Sequence, residues 1–210
     1  GTATDGTVIF TRNFDGETAL DTDQSDDVYW GVNSGTVADD MLQIKSGGWP
    51  QLNFKNKVSE SKKYEFSYKM KFDTAGGLIL NDFPGSDIGI GSAVPGTSIG
   101  HFKNYTDTSS TDCANEANIN TWYTIKTEFC TNSVYRYIKH TIIDESGNTV
   151  YSDIDNKMYK AGTAYGMFET PTIGKVYFWN KNNTGTLYVD DIVLKEIGSI
   201  PTDSNVILQD

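Results

Sequence analysis

The sequence predicts an all-β protein, an antiparallel two-sheet β-sandwich, and three observations carry that prediction. At least six segments alternate apolar and polar side chains with the period of two that a half-buried strand requires, and none shows an apolar period near 3.6. Twenty glycines and many Thr, Asn, Asp and Ser punctuate these segments, as turns between short strands do. The 210 residues are 37% hydrophobic and 12% aromatic, enough to fill one sandwich core without help from crosslinks. Residues 1–198 are read as one domain, and residues 199–210, with Pro201 after a Gly-Ser break, as a linker-like tail.

Val8 to Phe14 (VIFTRNF) predicts the first strand, and the acidic segment that follows cannot contribute core and is expected to be loop. In Trp49 to Phe54, Leu52 and Phe54 share one face while Trp49, Gln51 and Asn53 share the other. Lys62 to Asp73 is the cleanest strand. It sends Tyr64, Phe66, Tyr68, Met70 and Phe72 to the core and Glu65, Ser67, Lys69 and Lys71 to solvent. From Thr74 to Thr121 the chain is rich in Gly, Ser, Thr, Asn and Asp and is expected to be a long irregular stretch, functional or poorly ordered. Trp122 to Phe129 alternates again, and Val134 to Ile143 and Thr149 to Ile154 predict a hairpin across ESGN, with Tyr135 and Tyr137 on one face. Lys175 to Ile197 predicts a closing hairpin around the turn of Lys181 to Gly185, with Tyr177 and Trp179 opposite Val176 and Phe178.

In that last strand Asp190 and Asp191 are adjacent and bracketed by Val189, Ile192, Val193 and Leu194. Strict alternation points them in opposite directions, so one carboxylate is expected against an apolar layer. A charge there is costly unless it is paired or bound to a cation such as calcium, which oxygen ligands satisfy.

The ending LYVDDI resembles the last strand of jelly-roll carbohydrate-binding modules and of related concanavalin-like and laminin-G-like sandwich domains. VYWGVNSGTVADDMLQIKSGGWPQLNF resembles the second and third strands of the same superfamily, and NTWYTIKTEF with YRYIKHTIID, ESGN and TVYSD resembles its middle. The resemblance implies a jelly roll. It also implies a structural calcium joining the first and last strands through Asp190 and Asp15, the latter standing where the opening strand of such modules supplies an oxygen ligand, and it implies a structural role for Trp122.

The net charge of -11 and a pI near 4.5 argue against nucleic acid and anionic membrane, and no apolar run approaches the roughly 20 residues that span a bilayer. A neutral partner fits better. A sugar site needs rings to stack on the C–H face of a pyranose and amides to pair with its hydroxyls. Three rows offer this: Trp49, Gln51 and Asn53; Tyr135 and Tyr137; and Tyr177 and Trp179. They are expected to lie side by side across a cleft that takes an internal stretch of a β-linked polysaccharide, a plant cell-wall glycan. Tyr105 and His101, in the long Gly-rich stretch, are weaker candidates.

The sequence lacks GxSxG, P-loop, HExxH and GxGxxG patterns in usable contexts. The closely spaced acids of sandwich-fold glycosidases, which resemble ExDxxE, have only ETALDTD as a counterpart, in loop-like sequence. Met158 to Phe168 resembles the YFKAGxYxQ segment of sandwich-fold alginate lyases, but the final amide, the RxExR strand and the QIH strand are missing. The expectation is a noncatalytic, monomeric carbohydrate-binding module, secreted, that targets the catalytic domains of the same chain to polysaccharide. The alternative is a sandwich-fold polysaccharide lyase or glycoside hydrolase. Cys113 and Cys130 leave two options open, a disulfide or two free thiols, and neither sits in a CxxC pair.

Overall fold

The computed structural model describes residues 6–59, 62–73, 78–82, 89–93, 101–106, 109–112, 118–131, 135–152, 158–160, 175–181 and 185–199. The strands are β1 (Thr7–Arg12), β2 (Tyr29–Gly31), β3 (Gly35–Ala38), β4 (Met41–Lys45), β5 (Gln51–Asn53), β6 (Lys62–Phe72), β7 (Leu78–Asp82) and β8 (Gly89–Ala93). They continue as β9 (His101–Thr106), β10 (Ser109–Asp112), β11 (Tyr123–Thr131), β12 (Tyr135–Ile143), β13 (Thr149–Ser152), β14 (Met158–Lys160), β15 (Lys175–Lys181) and β16 (Thr186–Ser199).

They form two antiparallel sheets. The larger runs β13-β12-β11-β6-β16-β4-β3, with β1 beside β16 and β14 beside β12; the smaller runs β10-β9-β8-β7-β15-β5-β2. The stretch expected to be irregular, 74–121, therefore supplies β7 to β10, and the Gly and Ser alternation of GIGSA is compatible with strand once neighbours on both sides complete its hydrogen bonds. Cys113 and residues 161–168 lie outside the described residues.

The fourteen-residue β16 is the spine of the larger sheet. Along one side it pairs with β6 for most of its length; along the other it pairs first with β4 and then with β1, so the first and last strands are hydrogen-bonded neighbours. A β-bulge marks the change of partner. Asp190 faces Lys69 while Val193 faces Ser67, and Asp191 takes a left-handed φ of 49°. The extra residue shifts the alternation by one, so the buried side chains are Leu187 and Val189 before the bulge and Ile192 and Leu194 after it. This corrects the expectation from strict alternation: neither carboxylate enters the core, Asp191 is exposed and Asp190 is half-buried on the same face as Tyr188.

The sheets meet through aromatic rings. Phe66 and Tyr68 of β6 contact Phe178 of β15 at 6.5 and 5.0 Å between centroids, and Phe66 stacks on Phe54 at 5.6 Å. Phe10, Phe14 and Trp30 extend this layer toward β1 and β2. Turn chemistry closes the hairpins. Asp39 and Asp40, both with positive φ, join β3 to β4 in the sense that matches strand twist, and the Asp144 carboxylate accepts the Ser146 and Asn148 amides in the ESGN turn between β12 and β13.

Candidate functional site

On the smaller sheet β5 lies between β15 and β2, and its register aligns Gly31, Gln51 and Tyr177 in one row. The inward-facing residues of the neighbouring row, Trp30, Leu52 and Val176, are core. Two of the three rows read in the sequence thus meet. Trp49 stands just before β5 with 43% of its surface exposed, and its ring contacts Tyr177 with centroids 5.7 Å apart at 42°. Trp179, two residues further along β15, is half-buried and shares the Tyr177 face, while β7 sets Asp82 opposite Tyr177 and Leu80 opposite Trp179.

The exposed indole rides on a fixed backbone. The Trp49 amide donates to the Asn33 carbonyl at 3.0 Å, while Asn180 and Phe178 amides donate to the Gly48 and Pro50 carbonyls, each at 2.9 Å. Fully buried Asn180 accepts the Gly47 amide of the same loop at 2.8 Å, and its Nδ2 braces the adjoining strand ends by donating to the Ile44 carbonyl of β4 and the Gly185 carbonyl before β16 at 2.8 and 3.1 Å. Gln51 lies across Gly31. A Cβ at position 31 would fall 2.7 Å from the Gln51 Cγ and Nε2, so the absence of a side chain there is what makes room for the carboxamide, whose Oε1 is buried without a hydrogen-bond partner among the described residues.

Asn53 departs from the expected row. It is 8% exposed and donates from Nδ2 to the Tyr29 carbonyl at 3.4 Å, so its amide serves the edge strand instead of facing outward. Tyr135 and Tyr137 lie on β12, in the larger sheet, and are not brought beside the other two rows. Trp122 also sits on the larger sheet's side. Its ring and that of Tyr188 hold the Lys71 ammonium between them at 4.9 and 5.1 Å, and its amide donates to Glu145 Oε1.

Asp190 and Asp15 occupy the corner where β1 meets the bulge of β16. Burial, then the charges of Asp191 and Asp15, push the Asp190 carboxyl up to about 6, while its Oδ1 accepts the Asp191 amide at 2.8 Å. Asp191 pairs with Lys69 at 3.2 Å, and Asp40 Oδ1 accepts the Gly16 amide. Among the described residues no three His, Cys, Asp or Glu side chains are set together to hold a metal. Asp15 and Asp190 would therefore supply only part of the roughly six to eight oxygens that calcium takes, leaving carbonyls or water to complete it.

No protein-family model and no curated protein matches the sequence. Solved structures do match in shape. The Bauhinia forficata lectin in complex with GalNAc aligns over 90% of this chain and 98% of its own, at 9% identity and a TM-score of 0.52. The lectin UEA-II complexed with galactose aligns over 89% and 97%, at 8% identity and 0.53. The fold is a concanavalin-like jelly roll. The receptor-binding domain of a botulinum neurotoxin mosaic serotype C/D shares the jelly roll over 95% of this chain but 49% of its own, at 12% identity and 0.52. At such identities the likeness extends to the jelly roll and not to side chains.

Two parts of the jelly roll were missed in the sequence. The Val32–Ser34 turn reaches Trp49 by a hydrogen bond that no local pattern announces. The bulge was announced, by the spacing of Leu187, Val189, Ile192 and Leu194, which steps by two, three and two.

Proposed function

We propose that this protein is a noncatalytic carbohydrate-binding module whose polysaccharide ligand stacks on Trp49, Tyr177 and Trp179 and hydrogen-bonds to Gln51. The observation that carries the reading is the Trp49 ring, exposed yet held by backbone bonds on both sides and in contact with Tyr177 beside a carboxamide. An aromatic surface already fixed in place costs little entropy to bind, which suits ligands that gain little from each contact. Sugar complexes among the structures of the same fold support the class. Within that class the proposed ligand is a neutral, β-linked plant cell-wall glycan, and the module, secreted and monomeric, directs attached catalytic domains to it. Calcium, held by Asp15 and Asp190, is the proposed structural cation at the β1–β16 corner; a positive ion there offsets both the burial and the repulsion from Asp191 and Asp15 that raise the Asp190 pKa.

Affinity electrophoresis through gels containing xylan, mixed-linkage β-glucan or xyloglucan tests the reading. The protein should be retarded by at least one of them, and Trp49→Ala should weaken that binding by at least about tenfold, or about 1.4 kcal/mol, with the melting temperature nearly unchanged. Retardation by none of a broad glycan set, or full retention by the variant, overturns it. New reducing ends or unsaturated products in a parallel assay would instead identify a hydrolase or lyase.

A further inference from the structure

We infer that Asn180, fully buried and so beyond a ligand's reach, is the positioning residue for the Trp49 ring, and that the affinity of the site is set from inside the sandwich as well as on its surface. The inference rests on the proposed glycan reading and extends it to what holds the stacking ring in place. Trp49 is exposed between two buried residues, Gly48 and Pro50. The carbonyls of both accept amides of β15, Gly48 from Asn180 and Pro50 from Phe178, each at 2.9 Å. The ring thus leaves a backbone that is tied on either side of it.

Asn180 stands where the chain changes sheets twice. Strand β4 lies in the larger sheet and β5 in the smaller, so residues 46–50 cross between them; β15 lies in the smaller sheet and β16 in the larger, so the chain crosses again just after Asn180. One residue holds both crossings. Its amide and carbonyl bond to the Gly48 carbonyl and the Gly47 amide at 2.9 and 2.8 Å in the first. Its Nδ2 donates to the Ile44 carbonyl near the end of β4, and to the Gly185 carbonyl at the end of the second. Truncating the carboxamide removes both of these donors from inside the sandwich.

Close packing carries the constraint to the ring. The Gly48 amide closes the turn onto the Lys45 carbonyl at 2.9 Å, Gly47 holds a left-handed φ of 80°, and a Cβ on Gly48 would meet the Ile44 Cγ2 at 2.8 Å. The turn therefore lies directly against the strand end whose carbonyl Asn180 holds. The same carboxamide is only half satisfied: its Oδ1 is buried with no partner among the described residues, a desolvation cost that an apolar side chain at this position would avoid. What the amide supplies and an apolar side chain cannot is the pair of donors that fixes the two crossings. A ring already held in its bound direction loses little freedom when the ligand arrives, so loosening the turn beneath it weakens binding without touching the ligand.

The test is a double-mutant cycle in affinity electrophoresis on the glycan that retards the parent, run well below the melting temperature of every variant. Asn180→Ala should weaken binding by at least about fivefold in the parent and by less than about twofold in the Trp49→Ala background, because a residue that acts through the ring has nothing left to position once the ring is gone. Asn180→Ser, which keeps a hydroxyl donor, should fall between Asn180→Ala and the parent. Fluorine NMR of protein carrying 5-fluorotryptophan reads the ring directly: the Trp49 resonance, assigned by its loss in Trp49→Phe, should shift in Asn180→Ala while that of Trp122, on the larger sheet's side, stays in place. A like loss in both backgrounds would put the effect on Tyr177 or Trp179 of the same strand; that result, no loss in the parent, or an unmoved Trp49 resonance overturns the positioning role and leaves the glycan reading in place. So does a chain that folds with neither substitution, since Asn180 then serves the core alone. A parent that binds no glycan removes both.

Discussion

The Asp190 carboxyl is half-buried at the bulge of β16, where burial and the neighbouring charges of Asp191 and Asp15 push it up to about 6. The unfolded chain ionises this group near the ordinary carboxylate value, before the folded state does, so stability is unaffected well below pH 4, falls as pH rises between about 4 and 6, and stays reduced above that. Asp190→Asn should therefore raise the melting temperature at pH 7 to 8 in chelator and leave it unchanged near pH 4. Millimolar calcium should raise the melting temperature of the parent and not of the variant, since an ion that binds only the folded state stabilises by mass action. A parent indifferent to calcium would rule out the proposed cation and leave the pH effect standing.

Strand β15 carries both the core and the candidate site on opposite faces. Phe178 is 1% exposed and contacts Trp30, Phe66 and Tyr68, joining the two sheets, while Tyr177 on the other face meets Trp49. Adjacent substitutions on this strand should consequently behave in opposite ways. Phe178→Ala is expected to cost about 3 to 5 kcal/mol in urea unfolding, from lost burial and the cavity left behind. Tyr177→Ala should cost no more than about 1.5 kcal/mol, the worth of one aromatic pair, and should weaken glycan binding instead. Equal losses of stability from the two would place Tyr177 in the core. The element itself was legible, since KVYFWNK alternates, but the hairpin expected between it and β16 does not form: β15 pairs with the distant β5 and β7 in the smaller sheet, and β16 lies in the larger one, so the turn of Lys181 to Gly185 crosses between the sheets.

The whole molecule carries a net charge of -11, whereas the contact offered by exposed Trp49 and its neighbour Tyr177 is itself uncharged. Binding of a neutral glycan releases no counterions, so its affinity should change less than about twofold between low salt and about 1 M, where the screening length falls to about 3 Å. Polyanions such as polygalacturonate should be repelled at low salt. An affinity that rises steeply as salt is added would show that the ligand is itself acidic.

The sequence by itself determined the class of fold and the facing of residues in the candidate site: alternation placed β6, β11, β15 and β16 as strands, set Tyr64, Phe66, Tyr68, Met70 and Phe72 inward, and put Gln51 on the face opposite Leu52. It also pointed to the first and last strands as neighbours through the resemblance of their carboxylates. What it could not determine were relations between segments distant along the chain. Tertiary structure assigned β12 to the larger sheet, away from β5 and β15, covered Asn53 with the Tyr29 backbone, and brought the Val32–Ser34 turn to Trp49. The physical reason is that side-chain direction along a strand follows from local geometry, whereas the choice of partner strand is decided by closure of the whole sandwich. The bulge at Asp191 lies between these limits: its one-residue shift is written in the spacing of the apolar residues, but it is the pairing of β16 with β6, β4 and β1 together that fixes where Asp190 and Asp191 finally point.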